Sequence, residues 1–131
     1  MTKKEESKYE SLYNKAHEAG LKAGNNSNPT PMVVGEETSP FSGVIDDSKP
    51  TYFVEGGVCG FAWINIKPAR GKFVSWLKKN KIGRTDSYYG GYTIWVHNFG
   101  QSMQRKVAYA NAFSNILHEE GINAYSNSRI D

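Results

Sequence analysis

The chain has 131 residues, of which 38% are hydrophobic, 13% aromatic and 22% charged. That is the size of one domain with a core of its own and the composition of a chain that folds, which argues against a multidomain enzyme and against a disordered protein. A single cysteine, Cys59, rules out an internal disulfide framework, and no apolar run approaches the roughly 18 residues that a membrane span needs. Met1-Thr2-Lys3-Lys4-Glu5-Glu6 leads into charge instead of a signal-peptide core, so the expectation is a cytoplasmic protein with no membrane partner.

The net charge of +3 conceals a gradient. Residues 1–55 hold nine acids and six bases, whereas residues 56–131 hold four acids and ten bases. Between Glu55 and Asp86 there is no acid, yet seven bases lie there: Lys67, Arg70, Lys72, Lys78, Lys79, Lys81 and Arg84. Such a segment is either a solvated helix face or an anion-binding surface.

In chain order, Tyr9, Leu12, Tyr13, Ala16, Gly20 and Ala23 recur at helical steps and predict an amphipathic helix from about Glu5 to Ala23. Ala16, Ala19, Gly20, Ala23 and Gly24 give it a small-residue ridge, suited to docking on the domain or on a second copy, as in a homodimer. Residues 24–50 contain four of the five prolines and predict a long irregular arm, with Met32-Val33-Val34 as a short edge strand. Tyr52-Phe53-Val54, a Glu55-Gly56-Gly57 turn and Val58 to Ile66 predict a β-hairpin. In its second strand Cys59, Phe61, Trp63 and Asn65 alternate with Ala62, Ile64 and Ile66, a pattern of two buried faces and hence of a central strand.

A helix follows from about Ala69 to Asn80, with Phe73, Val74 and Leu77 on its apolar face. Arg84 to Gly91 is expected to be a loop and Tyr92 to His97 a strand. Ser102 caps a helix to about Glu120 carrying a stripe of Met103, Tyr109, Ala110, Phe113 and Leu117; Gly121 stops it, and Ile122 to Ile130 forms a last strand. The fold class is therefore α/β, with α+β as the variant: a small mixed sheet of about four strands with two packed helices over residues 51–131, preceded by an N-terminal helix and arm over residues 1–50. Each strand–helix–strand unit favours a parallel crossover, and a split, ferredoxin-like arrangement is the competing topology.

Parallel strands would gather their C-terminal ends on one sheet edge, bringing together Lys67 with Arg70, His97 with Asn98, and Arg129 with Asp131 as an anion site. A second candidate is the loop with Arg84, Tyr88, Tyr89 and Tyr92, since rings beside cations are what single-stranded nucleic acids and nucleotide bases stack on. The same rings suit a protein contact. There is no Walker loop, no H-E-x-x-H and no Cys-x-x-Cys, and the three histidines lack zinc spacing, so neither a cofactor nor a catalytic residue is expected. Cys59 is read as a small core residue before it is read as a nucleophile paired with His97.

Val58-Cys59-Gly60-Phe61-Ala62-Trp63, Ser75-Trp76-Leu77-Lys78-Lys79, Tyr89-Gly90-Gly91 with Ile94-Trp95-Val96, Gln101-Ser102-Met103 with Arg105-Lys106, and Gly121-Ile122-Asn123-Ala124-Tyr125 through Arg129-Ile130-Asp131 resemble a group of small proteins of unknown function encoded by tailed bacteriophages. The resemblance extends to Tyr13-Asn14-Lys15-Ala16-His17-Glu18-Ala19-Gly20 and Pro29-Thr30-Pro31-Met32-Val33-Val34. It implies a phage accessory protein acting in the bacterial cytoplasm and brings no catalytic residues with it. The leading expectation is a non-enzymatic binder of an anionic ligand, nucleic acid or a phosphorylated nucleotide, through Lys67, Arg70, Lys72, Lys79, Arg84, His97, Asn98 and Arg129 with Tyr88 and Tyr89 stacking. The alternative is a protein–protein factor that inhibits or redirects a host protein, or one that binds another phage protein.

Overall fold

The structure is a computed structural model that describes residues 1–29, 32–34, 52–54 and 57–131. Most of the arm expected over residues 24–50, and Glu55-Gly56 of the expected turn, lie outside the described residues.

The N-terminal helix, α1, spans Lys3–Asn26, three residues beyond its expected end. Its start is set by a capping box: the Thr2 hydroxyl accepts from the Glu5 N–H at 3.1 Å, and the Glu5 carboxylate accepts from the Thr2 N–H at 3.2 Å. The small-residue ridge faces inward. A Cβ on Gly20 would stand 2.6 Å from the Tyr109 ring, and one on Gly24 would overlap the Phe99 ring, so the helix lies closer to its neighbour than any larger residue permits.

The short strands β1 (Met32–Val34) and β2 (Tyr52–Val54) pair antiparallel with each other, with Val33 opposite Phe53. The edge strand expected at Met32 is present, but the hairpin of Tyr52–Val54 with the following strand is not. The reason is that both sides of that strand, β3 (Gly60–Ile66), are occupied, by β5 (Tyr92–Trp95) and by β6 (Ala124–Ile130). β3 is a central strand, as its two-faced pattern predicts.

The main sheet has the order β4-β5-β3-β6, where β4 is Arg84–Thr85, and every neighbouring pair is antiparallel. The chain has the expected α/β make-up and four-stranded sheet; the expected parallel neighbours are absent. β5 and β6 both oppose β3 and so run in the same direction, joined by α3 (Met103–Glu119) with β3 inserted between them. This is a split β-α-β unit. The direction of β5 follows from β4, a two-residue strand within the stretch expected to be loop. It adds one reversal after α2 (Lys72–Lys79), so that Tyr92 starts opposite Ile66 instead of returning to the start of β3.

Side-chain alternation divides the sheet into two faces. Ala62, Ile64 and Ile66 of β3, Tyr92 and Ile94 of β5 and Ala124 of β6 join one core. The three helices close it with Leu12 and Ala16, with Phe73, Trp76 and Leu77, and with Ala110, Phe113 and Leu117. Ser102 caps α3 as expected, accepting from the Arg105 N–H. His17 Nδ1 and Tyr109 Oη, hydrogen-bonded at 2.5 Å, tie α1 to α3, and desolvation raises the Tyr109 phenol above its ordinary pKa. Among the described residues no helix is long and apolar enough to cross a membrane.

Candidate functional site

The other sheet face carries no packed helix among the described residues, and its composition is unlike that of the core. Register places Phe61 opposite Arg129, Trp63 opposite both Asn127 and Trp95, Asn65 opposite Tyr125 and Thr93, and Thr93 opposite Arg84. Aromatic rings therefore share the face turned away from the core with Arg84 and Arg129 and with the neutral polar Asn65, Thr93 and Asn127. Trp63 and Trp95 have ring centroids 4.8 Å apart, and Phe61 meets Trp95 edge-on at 6.3 Å. The Arg129 guanidinium lies 5.4 Å from the Phe61 centroid, and Lys106, reaching the sheet from α3, lies 5.6 Å from it. Both separations are within cation–π range.

The turn between β4 and β5 supplies the exposed part. Asp86 accepts from the Tyr88 N–H at 2.8 Å and from the Tyr89 N–H at 2.9 Å, and its own N–H donates to the Gly91 carbonyl. These amide donors, Tyr89 foremost, hold the Asp86 carboxyl below the usual aspartate range. Gly91 closes the turn at φ 75°, where a Cβ would come within 2.5 Å of Asn65 Oδ1; only glycine fits. Asn65 also fastens the turn by donating to the Gly90 carbonyl at 2.9 Å. The result is a fixed knuckle on which Tyr88 is 85% and Tyr89 60% exposed, their rings edge-to-face at 4.6 Å, with Tyr89 tilted over Trp63 at 6.4 Å.

Between knuckle and sheet lies a depression of about 430 Å³ lined by Trp63, Asp86, Tyr88, Tyr89, Trp95 and Arg129. A neighbouring one of about 300 Å³ shares Asp86 and Trp95 and adds Arg84, Ser87 and Thr93. Trp63 is 94% buried, and its indole N–H has no hydrogen-bond partner among the described residues, an uncommon state for a buried donor.

Of the residues expected to bind, the structure brings Arg84, Tyr88, Tyr89 and Arg129 to this one face. Lys67 borders it at the far end, with its ammonium 5.9 Å from the Tyr125 ring. Lys72 and Lys79 stand apart on α2, each in an ion pair with α1, to Glu5 and Glu6 respectively. The common sheet edge does not exist. Because β3 opposes β5 and β6, Lys67 and Arg70 lie at one end of the sheet, while His97, Asn98, Arg129 and Asp131 lie at the other. His97 and Asn98 instead line a separate hollow of about 270 Å³ with Tyr13, His17 and Tyr109. Cys59 is half-buried, bridging Ser102 through its backbone.

Sequence reasoning missed Phe61, Trp63 and Trp95 as part of the site. Their signal was the pairing of large rings with polar Asn65 and Thr93 on the same alternation, which a purely apolar core face would not carry. Comparison of the chain with protein-family models, with curated proteins and with solved structures found no match.

Proposed function

We propose that this chain is a non-enzymatic binding protein for single-stranded nucleic acid, engaged through the aromatic and basic face of the β4-β5-β3-β6 sheet. The observation that carries the reading is the run of Tyr88, Tyr89, Trp95 and Phe61 beside Arg84 and Arg129 on one sheet face. Unpaired bases present flat π-faces that stack on such rings, while the phosphates between them need cations at the margin. A duplex buries its base faces and offers the rings little. The resemblance to small tailed-phage proteins implies that this activity would be an accessory function in an infected bacterial cytoplasm.

The test is fluorescence anisotropy with labelled dT and U oligomers at several salt concentrations. Base–aromatic stacking contributes about 1–3 kcal/mol per base, so Tyr88→Ala with Tyr89→Ala is expected to weaken binding by at least about ten-fold with the fold intact. Absence of binding at low salt, or binding insensitive to both substitutions, overturns the reading. Nuclease-resistant capture of a host protein that depends on the same two tyrosines would establish the protein–protein alternative instead.

A further inference from the structure

The main sheet has two edges of different character. At one stands β4, with two residues; at the other stands β6, with seven, and no strand lies beyond it among the described residues. The Lys67 N–H donates to the Asn123 carbonyl at 3.1 Å and the Asp131 N–H to the Cys59 carbonyl at 3.1 Å, so the odd-numbered residues of β6 are the ones that bond to β3. Ala124, Ser126, Ser128 and Ile130 therefore turn their N–H and C=O groups outward, and among the described residues no backbone group pairs with them. Such an edge templates further pairing unless it is blunted by short length, proline, a bulge or lysine. β6 has none of these: it reads Ala-Tyr-Ser-Asn-Ser-Arg-Ile, its register with β3 runs unbroken through all seven residues, and Ile130 is 68% exposed.

The strand's own sequence fits a second copy of itself. Paired antiparallel about Asn127, two such strands overlap over their whole length, with Ala124 opposite Ile130 of the other copy and Ser126 opposite Ser128, so that every outward residue meets an outward residue. Arg129 then lies opposite Tyr125, a cation beside a ring, whereas centring the pair on Arg129 would set two guanidiniums against each other. The exposed Ile130 gains the small Ala124 of the other copy as its neighbour, on the sheet side that carries the helices. A two-fold axis through Asn127 stands normal to the sheet, which joins the two aromatic faces on one side. It also uses up the open edge, so the assembly closes at two chains.

We propose that the outer edge of β6 is an interface for a second copy of this chain, paired antiparallel about Asn127 into one continuous sheet. The pairing does not rest on the nucleic-acid reading and is measured without nucleic acid. Sedimentation equilibrium of the full chain is expected to show a monomer–dimer equilibrium with a Kd of about 100 µM, as suits a small interface. Between about 20 µM and 1 mM protein, amide exchange followed by NMR is expected to slow several-fold at Ser126, Ser128 and Ile130, and to change less at Tyr125, Asn127 and Arg129, which already bond to β3. Ser128→Pro removes an outward N–H and leaves every bond to β3, so it is expected to abolish the dimer with the fold retained. Asn127→Lys and Asn127→Asp, each set against itself across the axis, are expected to weaken the dimer several-fold alone and to restore it as an equimolar mixture. A parent that stays monomeric to about 1 mM overturns the second copy as occupant. A dimer that survives Ser128→Pro overturns β6 as the interface, and a mixture no more dimeric than the single variants overturns the pairing about Asn127.

Discussion

Glu5 performs two tasks with one carboxylate. It closes the capping box on Thr2 and pairs with Lys72 across to α2, and these contacts, Lys72 first, hold its pKa at about 2 instead of 4.5. A folded-state pKa below the unfolded one stabilises the fold above the unfolded value, and that stabilisation fades as pH falls from about 4.5 towards 2. Observing the Glu5 carboxyl carbon by NMR should give a midpoint near 2 in the parent. In Lys72→Ala the midpoint should move upward but stop short of the ordinary value, because Thr2 still donates to it. A midpoint unmoved by the substitution would show that the ion pair does not persist in solution. Lys72 itself illustrates the limit of reading charge from a sequence: its place in an acid-free segment suggested a free cation, and its partner lies 67 positions away along the chain.

At the level of elements, the helices were legible in the sequence and the strand directions were not. Helical periodicity, the Ser102 cap and the Gly121 stop are local features, so α1, α2 and α3 appear where expected, within three residues at most ends. Strand direction depends on the number of reversals, and β4 contains only Arg84 and Thr85, too few residues for any alternation to show. That one element moved His97 and Asn98 to the end of the sheet opposite Lys67, and it also brought Arg84 onto the face that carries Trp95. The ridge on α1 was recognised, but its partner was not, since Tyr109 and Phe99 meet it only through tertiary packing. Gly24→Ala should force the Phe99 ring aside and cost about 1–3 kcal/mol, the usual range for overpacking. Chemical denaturation would measure this, and a parent-like midpoint would mean that α1 leaves α3 room to yield.

For the molecule as a whole, the compositional gradient becomes a spatial one of different shape. The acids of α1 pair with Lys72 and Lys79, so two of the seven bases of the acid-free segment are matched at the surface of the fold. Around the aromatic face stand Arg84, Arg129 and Lys67, with Asp86 held in its turn. Single-stranded binding should then lose affinity with salt at about 0.7 logarithmic units per phosphate neutralised. Arg84→Gln and Arg129→Gln are each expected to flatten the slope by about that amount. Lys79→Gln, remote from the face, should leave it unchanged, and a slope equally sensitive to all three would point to diffuse attraction instead of a site.

Asp86 gives the aromatic face a direction. It is a negative charge standing in a surface proposed for a polyanion, and it is there because its carboxylate orders the two tyrosines beside it. A phosphate passing over the knuckle would meet that charge, whereas a base would meet only rings. Arg84 and Arg129, by contrast, flank the depressions on either side of Trp95. On the proposed function, a bound strand would lie with its sugar-phosphate backbone along the arginines and its bases turned towards Tyr88 and Tyr89, one fixed anion selecting the pose by repulsion.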